Sequence, residues 1–170
     1  MWMPTPSQRP LLGRPRPRAH VAAIVSAWND AAVVAILVDV VAPGKHALSR
    51  LKKELVIWLV TTGRDRRPQA VPVWFLWDGK SFLIYAVPGV KVRHVKANPY
   101  VELHLNSDEV GGDLVRVSGY AIIPKSQPPA HREPAYMRKY RGQIEGLGMT
   151  AESFAEQYRH PIRVRRLRFH

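Results

Sequence analysis

The chain of 170 residues has no cysteine. Disulfides, thiolate catalysis and cysteine-ligated metals are therefore excluded together, and a reducing, cytoplasmic setting suits it. It also lacks any apolar run near the ~20 residues that a membrane-spanning helix needs. The longest candidate, Ala31 to Ala42, is short and is interrupted by Asp39, which fits neither a span nor a secretory signal. Acidic residues are scarce: 13 Asp and Glu stand against 26 Lys and Arg, a formal net charge of +13. That surplus points to an anionic partner, and by itself leaves a phosphorylated small molecule, a nucleic acid and a membrane surface all open. Several catalytic motifs are missing as well. There is no Gly-x-Ser-x-Gly elbow, no Gly-rich loop ending in Lys-Ser/Thr, and no Gly-x-Gly-x-x-Gly after a strand. The seven histidines never pair at i, i+4, so no metal site is expected.

What is present suffices for one domain, since 46% of the residues are hydrophobic. Prolines and arginines crowd the first 18 positions, and Arg14-Pro15-Arg16-Pro17-Arg18 can neither form a helix nor pair within a sheet. The Ala/Val-rich piece after it has no clear period of 3.6. Residues 1–44 are accordingly expected to be a disordered leader, and 45–170 the folded domain.

The folded part is organised around residues 68–98. Ala70 to Trp77 is apolar and rich in β-branched and aromatic residues apart from Pro72, and Asp78-Gly79 is a hairpin dipeptide, so a second strand is predicted over Ser81 to Val87. Pro88-Gly89 then opens a short basic helix from Val90 to Ala97, stopped at Asn98 by the following proline. Upstream, Leu48, Leu51 and Leu55 have helical spacing, and Val56 to Thr61 reads as a strand apolar on both faces, needing another layer or another subunit outside. Downstream, Tyr100 to Asn106 alternates as a half-buried strand and Leu114 to Ile123 is a strand bent at Gly119. Two helices follow, Pro134 to about Ile144 and Ala151 to Tyr158, the second capped by Thr150. Pro161 to Phe169 is a last strand whose phase flips near Arg165-Arg166. Six mostly antiparallel strands with little helix favour a small closed barrel.

Lys91 and Arg93 lie in the first turn of the basic helix, where free N–H groups and the positive dipole end make a phosphate site. A Lys-x-Arg pair on a helix is more often simply a solvated face. Trp74 and Trp77 more often fill a core or interface than stack on a ligand. His104 faces outward on its strand and reads as a surface or interface residue. Pro72 removes a ladder donor, which puts its strand at an edge or opens it locally, so that a flat ring could lie against the backbone.

Gly63-Arg-Asp-Arg-Arg-Pro-Gln-Ala-Val-Pro-Val-Trp-Phe-Leu-Trp-Asp-Gly79, the Lys91-x-Arg93 turn followed by Asn98-Pro99, and Leu147-Gly148-Met149-Thr150 together resemble the pyridoxamine 5'-phosphate oxidase-like split barrels, in particular their F420-dependent (deazaflavin) branch. The resemblance spans about residues 47–166. It implies a mainly β, six-stranded antiparallel split barrel that forms a homodimer with cofactor sites at the interface. It implies an oxidoreductase using F420, or FMN, on a small-molecule substrate. It further implies that Lys91, with Arg93, holds the cofactor phosphate, and that the ring lies along Gln69, Pro72, Val73 and Trp74 near Thr61. No catalytic side chain and no metal are implied. Tyr85 or water could supply a proton, and nothing in the sequence selects between them. A non-catalytic flavin-, deazaflavin- or haem-binding barrel is the alternative, while neither nucleic acid nor membrane is the expected partner. Two departures stand out: Pro88-Gly89-Val90 replaces the hydroxyl or basic side chain usual before the lysine, and His94 stands where asparagine is common.

Overall fold

The computed structural model describes residues 43–170, so the expected leader lies almost wholly outside the described residues. Helix α1 (Lys45–Lys53) follows the leucine spacing, with Leu51 fully buried and Leu48 packed on the core. Its last turn carries Arg50, Lys52 and Lys53, the charge that a helix C-terminus favours. Arg50 also ties the helix down, donating to Glu54 at 2.5 Å and to Asn106 O at 2.7 Å.

Strand β1 (Val56–Thr62) pairs antiparallel with β2 (Pro68–Trp74) from Val56 opposite Trp74 to Thr62 opposite Pro68. The predicted strand over 70–77 is not continuous. It breaks at Phe75, and the short β3 (Leu76–Trp77) pairs instead with β4 (Phe82–Ala86). Seven strands result where six were predicted. The break is stabilised from outside the sheet, since a buried peptide unit that leaves a ladder must find other partners. Phe75 N donates to Tyr140 Oη at 2.8 Å, and Phe75 O accepts from Lys139 Nζ at 2.9 Å. The Asp78-Gly79 hairpin forms as predicted, with Asp78 Oδ1 accepting from Ser81 N at 2.7 Å and Oδ2 from Arg163 Nη1 at 2.6 Å. Burial alone would raise the Asp78 pKa, but these bonds outweigh it and hold the carboxyl below its usual range.

Helix α2 (Val90–Ala97) ends at Asn98, whose N–H still donates to His94 O. Strands β5 (Tyr100–His104) and β6 (Arg116–Ile122) follow. Next come a 3₁₀ turn (Ala130–Arg132), helices α3 (Pro134–Gly146) and α4 (Ala151–Gln157), and strand β7 (His160–Phe169). Thr150 caps α4 reciprocally with Ser153, each side-chain oxygen accepting from the other's backbone N–H.

The sheet order is β2-β1-β5-β6-β7-β4-β3, every pair antiparallel. Its two ends come together where β2 touches β4, so the sheet curls into a split barrel and the segment 68–77 bridges the seam. Gly119 permits the curl. A Cβ there would sit 2.5 Å from Val164 Cγ1 and 3.1 Å from Leu167 Cδ2, and the β6–β7 register shifts at this point. The phase flip of β7 is real: Arg166 takes φ 52°, so Leu167 and Phe169 return to the interior that Ile162 and Val164 occupy.

Inside the barrel pack Ile57, Leu59, Phe75, Phe82, Ile84, Leu103, Val117 and Val164. A second, smaller core forms where α3 and α4 cover the outer side of β4, joining Leu83 and Tyr85 to Tyr136, Tyr140, Ile144 and Phe154. Within one copy of the chain the strand buried on both faces is β4. On β1 the alternate residues Val56, Trp58 and Val60 are only half-buried, with Trp58 stacked on His104 across the β1–β5 pair. No helix among the described residues is long and apolar enough to cross a membrane.

Candidate functional site

The seam of the barrel creates the site. Where β2 leaves β1 and approaches β4, Val56, Pro72, Val73 and Trp74 form one wall of a cavity of about 270 Å³. Tyr85 and Ala86 of β4 form a second, and Tyr136, Phe154 and Tyr158 close it from the helical side. Lys91, half-buried at the start of α2, supplies the charged group of the lining. Because β2 is an edge strand, Pro72 is tolerated there, and its missing N–H leaves a surface against which a flat ring can lie.

Packing fixes the aromatic wall. Trp74 stacks on Tyr140 (centroids 4.8 Å apart, planes at 3°) and on Phe154 (5.6 Å, 18°). Tyr136 meets Tyr85 edge-on at 4.9 Å. Tyr140 anchors the group through its hydroxyl, which lies 2.8 Å from Leu55 O and 2.7 Å from Phe75 O. Trp77, by contrast, belongs to the barrel core.

Electrostatics separate the titratable groups. Burial lowers the Lys91 pKa from its ordinary value, because removing water penalises the ammonium; an anion at the cavity mouth would restore what burial takes away. Burial pushes Tyr85 up to about 12, and its hydroxyl donates to Pro128 O at 2.7 Å, so that proton is already engaged. Lys139, beneath the break at Phe75, is lowered to about 8 by burial, against the opposing attraction of Glu54.

Of the residues singled out in the sequence, Pro72, Val73, Trp74 and Lys91 meet in this cavity. Arg93 does not join them. Positions i and i+2 of an α-helix are about 200° apart, and Arg93 points into a separate, more open depression of about 510 Å³ with Arg64, Asp65, His94 and Lys96. Thr61 is buried and lies opposite Gln69 in the β1–β2 pair; its hydroxyl lies 3.1 Å from His94 Nδ1, and Gln69 is exposed. His94 therefore has a structural task here, bridging α2 to β1 over Gly63, where a Cβ would come within 2.7 Å of its ring. Sequence reasoning missed Tyr136, Phe154 and Tyr158. They lie in and just after the two predicted helices, and nothing local to those helices shows which of their residues look onto the seam.

The cavity suits a planar, apolar ring with an anionic extension: aromatic side chains and an edge strand surround the ring space, and a cation stands beside an α-helix N-terminus that no side chain caps. No histidine lines it, and no cluster of metal-ligating side chains occurs among the described residues.

Comparison with known proteins agrees with the architecture. A conserved hypothetical protein from Mycobacterium tuberculosis shares the fold with a TM-score of 0.55 at 19% identity, covering 77% of this chain and 86% of that one. An F420 reductase matches with a TM-score of 0.51 at 19% identity over 75% of this chain and 95% of its own. The haem storage protein HutZ from Vibrio cholerae matches with a TM-score of 0.51 at 13% identity, over 71% and 88%. No curated protein matches the sequence at a significant level. The family model for pyridoxamine 5'-phosphate oxidase matches residues 44–170, the whole of the barrel with its helices, and the chain belongs to that family.

Proposed function

We propose that this chain is an oxidoreductase that uses the deazaflavin coenzyme F420, with hydride passing between the reduced coenzyme and an activated double bond or a quinone-like acceptor. The observation that carries this reading is the position of Lys91, a half-buried cation at the helix end of an aromatic cavity floored by an edge strand. At about 270 Å³ the cavity is smaller than one enclosing a whole ligand. It takes the ring, with the phosphate at Lys91 and the remainder outside. Bound F420 would supply the hydride chemistry, while the chain supplies position, a dry ring site and the phosphate charge. Similarity to an F420 reductase supports the choice of coenzyme.

Two copies of the chain would complete the site. The half-buried Val56, Trp58 and Val60 on the outer face of β1 give a second subunit an apolar surface to cover, next to the cavity wall at Val56. The working partner is a small molecule rather than nucleic acid, and the setting is the cytoplasm. Titration of the full chain with F420 and with FMN, followed by fluorescence, tests the proposal. Micromolar or tighter F420 binding with weak FMN binding is expected. The reverse preference assigns FMN, and binding of neither removes the proposal.

A further inference from the structure

Three buried side-chain atoms lack a hydrogen-bond partner among the described residues: Trp77 Nε1, His131 Nδ1 and Tyr136 Oη. Only Tyr136 belongs to the cavity wall. It is fully buried, in the first turn of α3, and is held between Tyr85 (4.9 Å, planes at 85°) and Tyr140 (4.7 Å, 41°). Its neighbours cannot serve it. Neither neighbouring hydroxyl oxygen bonds to it: Tyr85 Oη is turned to Pro128 O, and Tyr140 Oη sits against Leu55 O and Phe75. A buried hydroxyl without a partner costs stability, and such a cost is retained where a ligand later supplies the missing acceptor.

We propose that Tyr136 is the hydrogen-bond donor of the cavity, its hydroxyl donating to a carbonyl oxygen on the planar ring that binds between the Pro72–Trp74 strand and the aromatic wall. This rests on the function proposed above, since flavin and deazaflavin rings both carry such carbonyls. It identifies a binding residue that the sequence did not single out and passes over Tyr85, the tyrosine that the sequence offered. Burial holds the Tyr136 pKa well above its ordinary value, with the neighbouring tyrosines adding to the effect, so the phenol keeps its proton throughout the working range. The consequence is selectivity: rings with an acceptor at this edge are favoured over rings without one.

The test uses the full chain with Tyr136→Phe and, as a control outside the cavity, Ser81→Ala, which removes the hairpin bond from the Ser81 hydroxyl to Asp78 Oδ2. Thermal unfolding without ligand and fluorescence titration with F420 and FMN are measured for each. Tyr136→Phe should melt at the wild-type temperature or above it, because an unmet polar group is removed. The same variant should bind the preferred cofactor roughly three- to tenfold more weakly, as the loss of one hydrogen bond implies. Ser81→Ala should melt lower and bind within about twofold of wild type, having lost only a structural bond. A lowered melting temperature for Tyr136→Phe overturns the inference, because its hydroxyl then has a partner in the ligand-free fold; unchanged affinity in that variant overturns it equally. If wild type binds neither cofactor, the proposed function itself falls and this inference falls with it.

Discussion

Helix α2 separates two hollows of opposite character. On the Lys91 side lies the smaller cavity, walled by Trp74, Tyr136 and Phe154, in which the lysine is half-buried and its pKa lowered by desolvation. On the Arg93 side lies the wider depression, where Arg64, Arg93 and Lys96 stand in water around Asp65. Both are basic, yet they have different uses. A cation in a low-dielectric wall gains strongly from an anion placed against it, whereas exposed cations are screened and already solvated. Charge counted along the sequence cannot make this distinction, because Lys91 and Arg93 differ only in the direction in which the helix points them.

The largest expected effect breaks the pair apart. Lys91→Ala should weaken binding of the phosphorylated cofactor roughly 10- to 100-fold, the usual cost of a charge-assisted contact. Arg93→Ala should change it by less than about threefold, because an exposed ion pair is worth little. Parallel fluorescence titrations measure both, and equal losses would merge the two hollows into one site.

Next in size is Gly63→Ala. The added methyl would press on the His94 ring, 2.7 Å away, and strain the contact with Thr61 that docks α2 on β1. A destabilisation of about 1–3 kcal/mol is expected in urea unfolding. Cofactor affinity should move far less than in Lys91→Ala, and a matching loss of affinity would make the docking of α2, rather than the lysine charge, the determinant.

A pH series sharpens the contrast further. The folded Lys91 pKa lies below its unfolded value, so between the two the unfolded chain binds more protons and the ligand-free protein gains stability as pH rises. Anion affinity runs the other way. It is full below the lowered pKa and declines as pH rises through it, earlier than for an ordinary lysine. Lys91→Arg, which does not titrate in this range, should flatten the decline in a titration series taken toward alkaline pH. The smallest effect is that of salt. Raising ionic strength from about 0.05 to about 0.5 M should erase whatever Arg93 contributes and leave most of the Lys91 contribution, because buried charges are screened less.

Much of the fold was legible because each element carried a local cause. Leu48 and Leu51 marked α1, Asp78-Gly79 the hairpin, Asn98-Pro99 the end of α2, Thr150 the start of α4, and Arg165-Arg166 the bulge in β7. The break at Phe75 was not legible. Its residues are strand formers throughout, and what interrupts the ladder is the Tyr140 hydroxyl and the Lys139 ammonium, which lie 65 and 64 residues away. The covering of β4 by α3 and α4 was hidden for the same reason: the strand is apolar on two faces, and only the landing place of the two helices shows what covers it. At the site, Pro72 and Lys91 could be read because a mid-strand proline and the Pro-Gly entry mark them locally, whereas Val73 and Trp74 came only from the family resemblance. Tyr136 could not, because a tyrosine on a buried helix face shows its unmet hydroxyl only after every neighbour is in place.

Hydrogen–deuterium exchange of the full chain, with and without saturating F420 or FMN, tests most directly whether the aromatic cavity, rather than the basic depression, holds the cofactor. Protection is predicted in the peptides covering Pro72 to Trp74, the first turn of α2 and the start of α3 around Tyr136, with the loop from Gly63 to Arg67 unchanged. Protection confined to that loop and to the C-terminal half of α2 would place the ligand at Arg93 and contradict the assignment.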